Sequence, residues 1–303
     1  MTIDGKQGND SDAHSPDAGR SEFLTAYDKL LTRWPDPHET LTITSDFGTT
    51  SVIASGPLDA PPVVLIHAYQ ATSAEWMELA RALSADRRVF AVDMNGDAGH
   101  SSTGARAIGT TTDMVEWLDT VMDGLKLTTA ELAGHSYGAW ITLTYAIERP
   151  NRVSRVTLLD PTMCFAPLYP HYILRALPAL INPTSARRAA LIRWESKRGN
   201  AAIDQEWVQV TSMGADAFGD APTVPTKIPK PATLKDLRPP ALIIVAGSTR
   251  VHHPRRVAKK AGQRLVNSRV ETLAGATHYG LPVTHAEQIA AFMREPPAQV
   301  QPA

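Results

Sequence analysis

LAGHSYGAW, residues 132–140, sets Ser136 between Gly134 and Gly138. The pattern G-x-S-x-G is short enough to arise by chance, so its surroundings decide how it reads. The apolar run AELAG precedes it and a helix-like run, 137–148, follows. A serine at a sharp turn from buried strand to helix sits in a strained backbone conformation, and only small residues two before and two after let strand and helix approach closely. The helix N-terminus then offers backbone N–H groups to a developing oxyanion. Ser136 is therefore the candidate nucleophile.

The pattern around this elbow is strand–helix alternation. VVLIH (63–67) is short and apolar on both faces, as a buried parallel strand is. A helical stretch over 72–83, the strand RVFAVDM, a helix over 113–125, AELAG, the helix 137–148 and the strand RVTLLD (155–160) follow. Upstream, 21–34 has helical spacing, and HETLTITSDFG and TTSVIASG alternate as an antiparallel pair. After Asp160 the alternation stops. Residues 161–240 hold three helix-like pieces and many prolines, with no strand between them, before ALIIVAG, a helix, RVETLAG and a last helix resume it. The expectation is an α/β fold with a mostly parallel sheet of eight-stranded type, helices on both faces and right-handed crossovers. Residues 21–160 and 241–303 form the core, 161–240 a helical cap inserted after the sixth strand, and 1–20 a polar disordered tail.

Composition narrows the function classes. The 303 residues are 43% hydrophobic and 20% charged, with a formal net charge of -1, so bulk charge favours neither nucleic acid nor an anionic membrane. The single cysteine, Cys164, excludes an intrachain disulfide and a thiolate metal cluster. The first residues lack the basic and apolar regions of a secretory signal, and no apolar run is long enough to span a bilayer. A cytoplasmic protein without metal or cofactor is expected, with no nucleic-acid or membrane partner.

VVLIHAY, AVDMNGDAGHS, LAGHSYGAW and LAGATH, in that order, resemble the α/β-hydrolase superfamily, in its serine-nucleophile, esterase-like branch with a helical cap. The resemblance covers roughly residues 40 to 295. It implies a second oxyanion donor after the first parallel strand, where many members have His-Gly-x and this chain has His67-Ala68-Tyr69. The backbone N–H groups of Tyr137 and Tyr69 would form the hole, and Ala68 in place of glycine would leave that loop less free to adopt positive φ. His67 would shape the loop through its ring. Chain order in the superfamily is Ser, acid, His. His278, after the last strand, stands where the family has its base, and His285, His252 and His253 fall at less suitable positions.

The acid departs from the commoner pattern. The loop after the seventh strand, VAGSTRVHHP, holds no Asp or Glu, and Thr249 stands about where the carboxylate is usual. Some branches place it after the sixth strand, and Asp160 ends that strand here. Asp160 is the candidate acid. Asp93, in a loop matching D-x-x-G-x-G-x-S, is read as structural. In the insert, Met163 and Phe165 are expected to wall a substrate pocket with Tyr69, and Cys164 to fill apolar space.

The resulting expectation is a serine hydrolase cleaving a carboxylic ester or related acyl substrate. Cofactor-free haloperoxidase, perhydrolase, lactone or C–C bond hydrolase chemistry on the same triad is the alternative within this fold. A non-catalytic ligand-binding protein is the alternative from another class, favoured by the missing acid in VAGSTRVHHP.

Overall fold

The computed structural model describes residues 16–219 and 224–296. The chain runs α1 (Pro16–Leu31), β1 (His38–Ser45), β2 (Gly48–Ser55), β3 (Pro62–Ile66), α2 (Met77–Leu83), β4 (Arg88–Val92), β5 (Ser102–Thr103), α3 (Thr111–Gly124), β6 (Ala130–His135), α4 (Tyr137–Glu148) and β7 (Val153–Leu159). Four helices follow, α5 (Pro170–Ile181), α6 (Ser185–Ser196), α7 (Gln205–Phe218) and α8 (Pro231–Lys235). The chain then forms β8 (Ala241–Ala246), α9 (Pro254–Arg264), β9 (Ser268–Leu273), α10 (Leu281–Thr284) and α11 (Ala286–Arg294). Most of the expected tail, residues 1–15, lies outside the described residues, and α1 starts five residues ahead of Ser21.

The nine strands form one sheet in the order β1-β2-β4-β3-β6-β7-β8-β9, with β5 added beside β2. β2 pairs antiparallel with β1, β4 and β5, while β4, β3, β6, β7, β8 and β9 pair parallel in that order. β3, β4, β6 and β8 are buried almost throughout, which accounts for their unbroken apolar runs. α3, α4 and α9 cover one face through a core that includes Trp117, Leu143 and Val257. α1, α2 and α11 cover the other, around Tyr27, Trp76 and Ile289.

The two-residue strand β5 is too short to leave a period-2 signal, and the sequence reading missed it. The helix expected over 72–83 divides into a tight turn, Ser73–Trp76, and α2. Thr72 caps the turn by accepting from Ala74 N–H.

The strand order positions the chemistry. β7 lies between β6 and β8, so the carboxyl ends of these three strands bring Ser136, Asp160 and the loop after β8 side by side.

Candidate active site

Ser136 has φ 54° and ψ −112°, a left-handed conformation that costs a non-glycine residue on the order of 1–3 kcal/mol. Its amide donates to Leu159 O at 3.0 Å, which ties the elbow to β7. The flanking glycines are required by space. A Cβ on Gly134 would collide with the carbonyl of Gly138, and one on Gly138 with the carbonyl of Ile66 at the tip of β3.

Asp160 leaves β7 with φ 37° and donates its amide to Ile244 O at 2.7 Å. One carboxylate oxygen, Oδ1, accepts from Ala246 N–H at 3.0 Å; the other, Oδ2, lies 2.6 Å from His278 Nδ1. His278 Nε2 lies 2.9 Å from Ser136 Oγ. All three side chains are buried. Burial alone would raise the Asp160 carboxyl, but His252 and His278 against its two oxygens outweigh that and hold it well below the usual carboxylate range. Burial pushes His278 down, toward about 4, against the pull of Asp160, with His135 and His252 adding to the fall. The His278 imidazole is thus held neutral, with Nδ1–H toward Asp160 and the Nε2 lone pair toward Ser136. Thr249, in the loop after β8, instead accepts from Val251 N–H.

The loop from His67 to Gln70 is clamped by three buried charged side chains from three different elements. Glu75 Oε2 accepts from Ala68 N–H at 2.9 Å, and Asp97 Oδ2 accepts from Gln70 N–H at 2.8 Å. Arg188 Nη2, on α6, donates to the carbonyls of Tyr69 at 2.8 Å and Gln70 at 3.3 Å. The positive φ in this loop falls on Gln70, at 55°, and not on Ala68, so an alanine is accommodated at 68. His67 Nδ1 meets Ala68 O at 2.8 Å and Nε2 accepts from Met94 N–H at 3.0 Å, so its ring shapes the loop. Asp93 is structural in its contacts: it accepts from Tyr27 O–H and from the amides of Ser73 and His100.

Beneath the triad lies a second carboxylate–imidazole pair. Glu75 Oε1 is 2.6 Å from Nδ1 of His135, the residue before the serine, and the His135 and His278 rings are 4.7 Å apart. Burial opposes charge on both partners, yet each favours the other's ionised form: Glu75 is lowered and His135 raised. Glu75 therefore joins the His67–Gln70 loop, through Ala68 N–H, to His135 beside Ser136.

A further buried acid, Glu195 on α6, accepts from the amides of His278 at 2.9 Å, Arg250 at 3.2 Å and Tyr279 at 3.3 Å. Burial pushes its carboxyl up to about 7, against the lowering effect of those amides. α6 is thus tied to the loop that carries His278.

A cavity of about 440 Å³ opens over Ser136 and His278. Tyr69, Tyr137 and Met163 line it, with Leu180, Arg188 and Leu191 from the insert. Tyr137 is the first residue of α4, where a helix leaves its amides without intrahelical partners. Phe165 does not reach the cavity. It is fully buried in the core on the α4 face, so the pocket wall expected from it is supplied by aliphatic residues of α5 and α6. Cys164 is buried beside it, with its thiol pushed up by burial.

The sequence reading missed Glu75, Arg188 and Glu195, and it set His252 aside as a base without its contact to Asp160 Oδ1 at 3.1 Å. Arg188 and Glu195 carried a usable signal: with Leu191 and Ile192 they share one helical face, a charge at each end of an apolar stripe. Glu75 sits among apolar residues in a turn whose four residues are all buried.

A family model for the alpha/beta hydrolase fold matches residues 61–179. Carboxylesterase YbfK of Bacillus subtilis is 38% identical over 148 residues, covering 49% of this chain and 50% of that protein. The carboxylesterase nap of the same organism, itself described as uncharacterized, is 34% identical over 155 residues, 51% of each chain. These matches span about half the length of the curated relatives. Two solved structures extend the likeness across the fold. Naproxen esterase from Bacillus subtilis superposes with a TM-score of 0.81 at 26% identity, covering 90% of this chain and 96% of that one. Carboxylesterase CesB (YbfK) gives 0.82 at 26% identity, covering 91% and 98%. The chain has the α/β-hydrolase fold.

Proposed function

We propose that this protein is a serine hydrolase that cleaves a small carboxylic ester through an acyl-enzyme. The observation that carries the reading is the continuous chain from Ser136 Oγ through His278 to Asp160, with contacts of 2.9 and 2.6 Å, on the wall of the 440 Å³ cavity. Ser136 Oγ attacks the carbonyl carbon while His278 Nε2 takes its proton. Asp160 holds the imidazole in the required tautomer and stabilises the imidazolium that forms. The backbone N–H groups of Tyr137 and Tyr69 receive the oxyanion. His278 then protonates the departing alcohol. Water enters, gives its proton to His278, and releases the acid. Residues 161–240 act as the cap that excludes bulk water.

The likeness to named carboxylesterases supports an ester as substrate. The short contact of Asp160 to His278 removes the main argument for a non-catalytic binding protein, the absence of an acid after β8. Turnover of p-nitrophenyl esters from acetate to decanoate tests the reading, with wild type compared against Ser136→Ala and His278→Ala. Hydrolysis by wild type and its loss in both variants is expected. No turnover of any ester by folded wild type would refute it.

A further inference from the structure

Most of the cavity wall is apolar, from Leu168, Ala176, Ala179, Leu180 and Leu191. One corner differs in kind. Arg188 lines the cavity and is 6% exposed. Its Nη2 serves the carbonyls of Tyr69 and Gln70, while Nε is buried with no hydrogen-bond partner. No carboxylate among the described residues forms an ion pair with it, although a buried cation is costly unless paired. Asp97, whose carboxyl feels the charge of Arg188, and Glu195 on the same helix are already engaged. Both oxygens of Asp97 accept backbone amides, from Gln70 and Ala98, and both oxygens of Glu195 do the same, from His278, Arg250 and Tyr279.

Beside the guanidinium, the hydroxyls of Tyr172 and Tyr279 lie 3.0 Å apart, with Arg188 5.5 Å from the Tyr279 ring centre. Both tyrosines line the cavity. One hydroxyl must donate to the other, so the accepting hydroxyl keeps a proton for which no acceptor is found among the described residues. Arg188 offers donors only. Among the described residues, no Asp or Glu lines the cavity. Propping the oxyanion loop uses Nη2 alone and leaves the rest of the fork unspent.

We propose that Arg188, with the Tyr172–Tyr279 hydroxyl pair, is a subsite for a free carboxylate carried by the substrate, so that the preferred esters bear one carboxylate besides the scissile bond. This rests on the ester-hydrolase reading of the same cavity. A guanidinium matches carboxylate geometry, and such charge-assisted bonds are roughly twice as strong as neutral ones. The aliphatic walls take the linking methylenes.

The test compares kcat/KM for the monoethyl half-esters of succinate, glutarate and adipate with that for the matching diethyl esters, counted per ester. Acetoxy acids of similar length place the carboxylate on the alcohol side. Wild type, Arg188→Gln, Arg188→Lys and Tyr172→Phe are each read as the ratio of charged to neutral substrate, so any general loss from a disturbed oxyanion loop cancels. The expected ratio in at least one series is about tenfold or more in wild type, intermediate in Arg188→Lys and Tyr172→Phe, and near or below one in Arg188→Gln. A wild-type ratio at or below one in every series, or a ratio unchanged in Arg188→Gln, would overturn the subsite while leaving the hydrolase intact. Titration of Ser136→Ala with glutarate, against its neutral diamide, reads binding without turnover. Glutarate bound by Ser136→Ala and lost on adding Arg188→Gln supports the subsite even if no ester is cleaved, an outcome that would refute the hydrolase instead.

Discussion

Asp160 directly follows β7, 118 residues before His278, and its Oδ2 lies 2.6 Å from the Nδ1 of that histidine. Asp160 thus reaches His278 from the strand beside Ser136, and the loop after β8 offers no carboxylate. Asp160→Asn keeps the size and removes the charge. Because asparagine favours the wrong imidazole tautomer, kcat is expected to fall by up to ~10⁴. Asp93→Asn, which alters a loop contact, is expected to keep kcat within about tenfold. Steady-state kinetics on p-nitrophenyl butyrate check both.

The pH dependence follows from His278. The active form carries a neutral imidazole, and burial, with His135 and His252 adding to it against Asp160, holds its pKa below the ordinary value. Activity is therefore expected to persist as pH falls through 6.5 and to be lost only as pH approaches about 4. The acid limb of kcat/KM against pH checks this. A midpoint at or above about 6.5 would contradict it.

Glu75 and His135 give a linked expectation. Removing the carboxylate with Glu75→Gln withdraws the charge that raises His135, and a neutral His135 no longer lowers His278. The acid limb should move up in pH, while kcat falls because Ala68 is less firmly held. Glu75→Ala leaves a buried imidazole without its partner and is expected to cost about 3–5 kcal/mol of stability. Chemical denaturation of each variant separates the two effects.

The strand–helix alternation was readable because the central parallel strands β3, β4, β6 and β8 are buried on both faces and each core helix on one. The elbow was readable because its two glycines answer to collisions with specific carbonyls. Asp160 could be singled out as the carboxylate at the tip of a strand. What escaped were charges inside apolar stripes. Glu75, Arg188 and Glu195 look like solvated residues in a helical pattern, and only tertiary packing turns them onto backbone amides and carbonyls of the site. Phe165 was misleading for the related reason that its neighbour Met163, two residues earlier, faces the cavity while Phe165 turns into the core.

Glu195 makes stability depend on pH. Its folded carboxyl binds a proton more tightly than the unfolded one, with a pKa near 7 against an ordinary 4.5. Its contribution is fully present below about pH 4.5 and is lost as pH rises through about 7. The difference of roughly 2.5 units corresponds to about 3 kcal/mol. Glu195→Gln cannot ionise and is expected to show a flatter profile between pH 5 and 8. Equilibrium urea unfolding of both proteins across that range checks the slope.

The most direct measurement is the intact mass of the protein after treatment with a p-nitrophenyl alkylphosphonate. Wild type is expected to gain one phosphonyl group, mapped by peptide digestion to Ser136, and Ser136→Ala to gain none. Folded wild type that stays unmodified, or an adduct that persists in Ser136→Ala, would contradict Ser136 as the nucleophile.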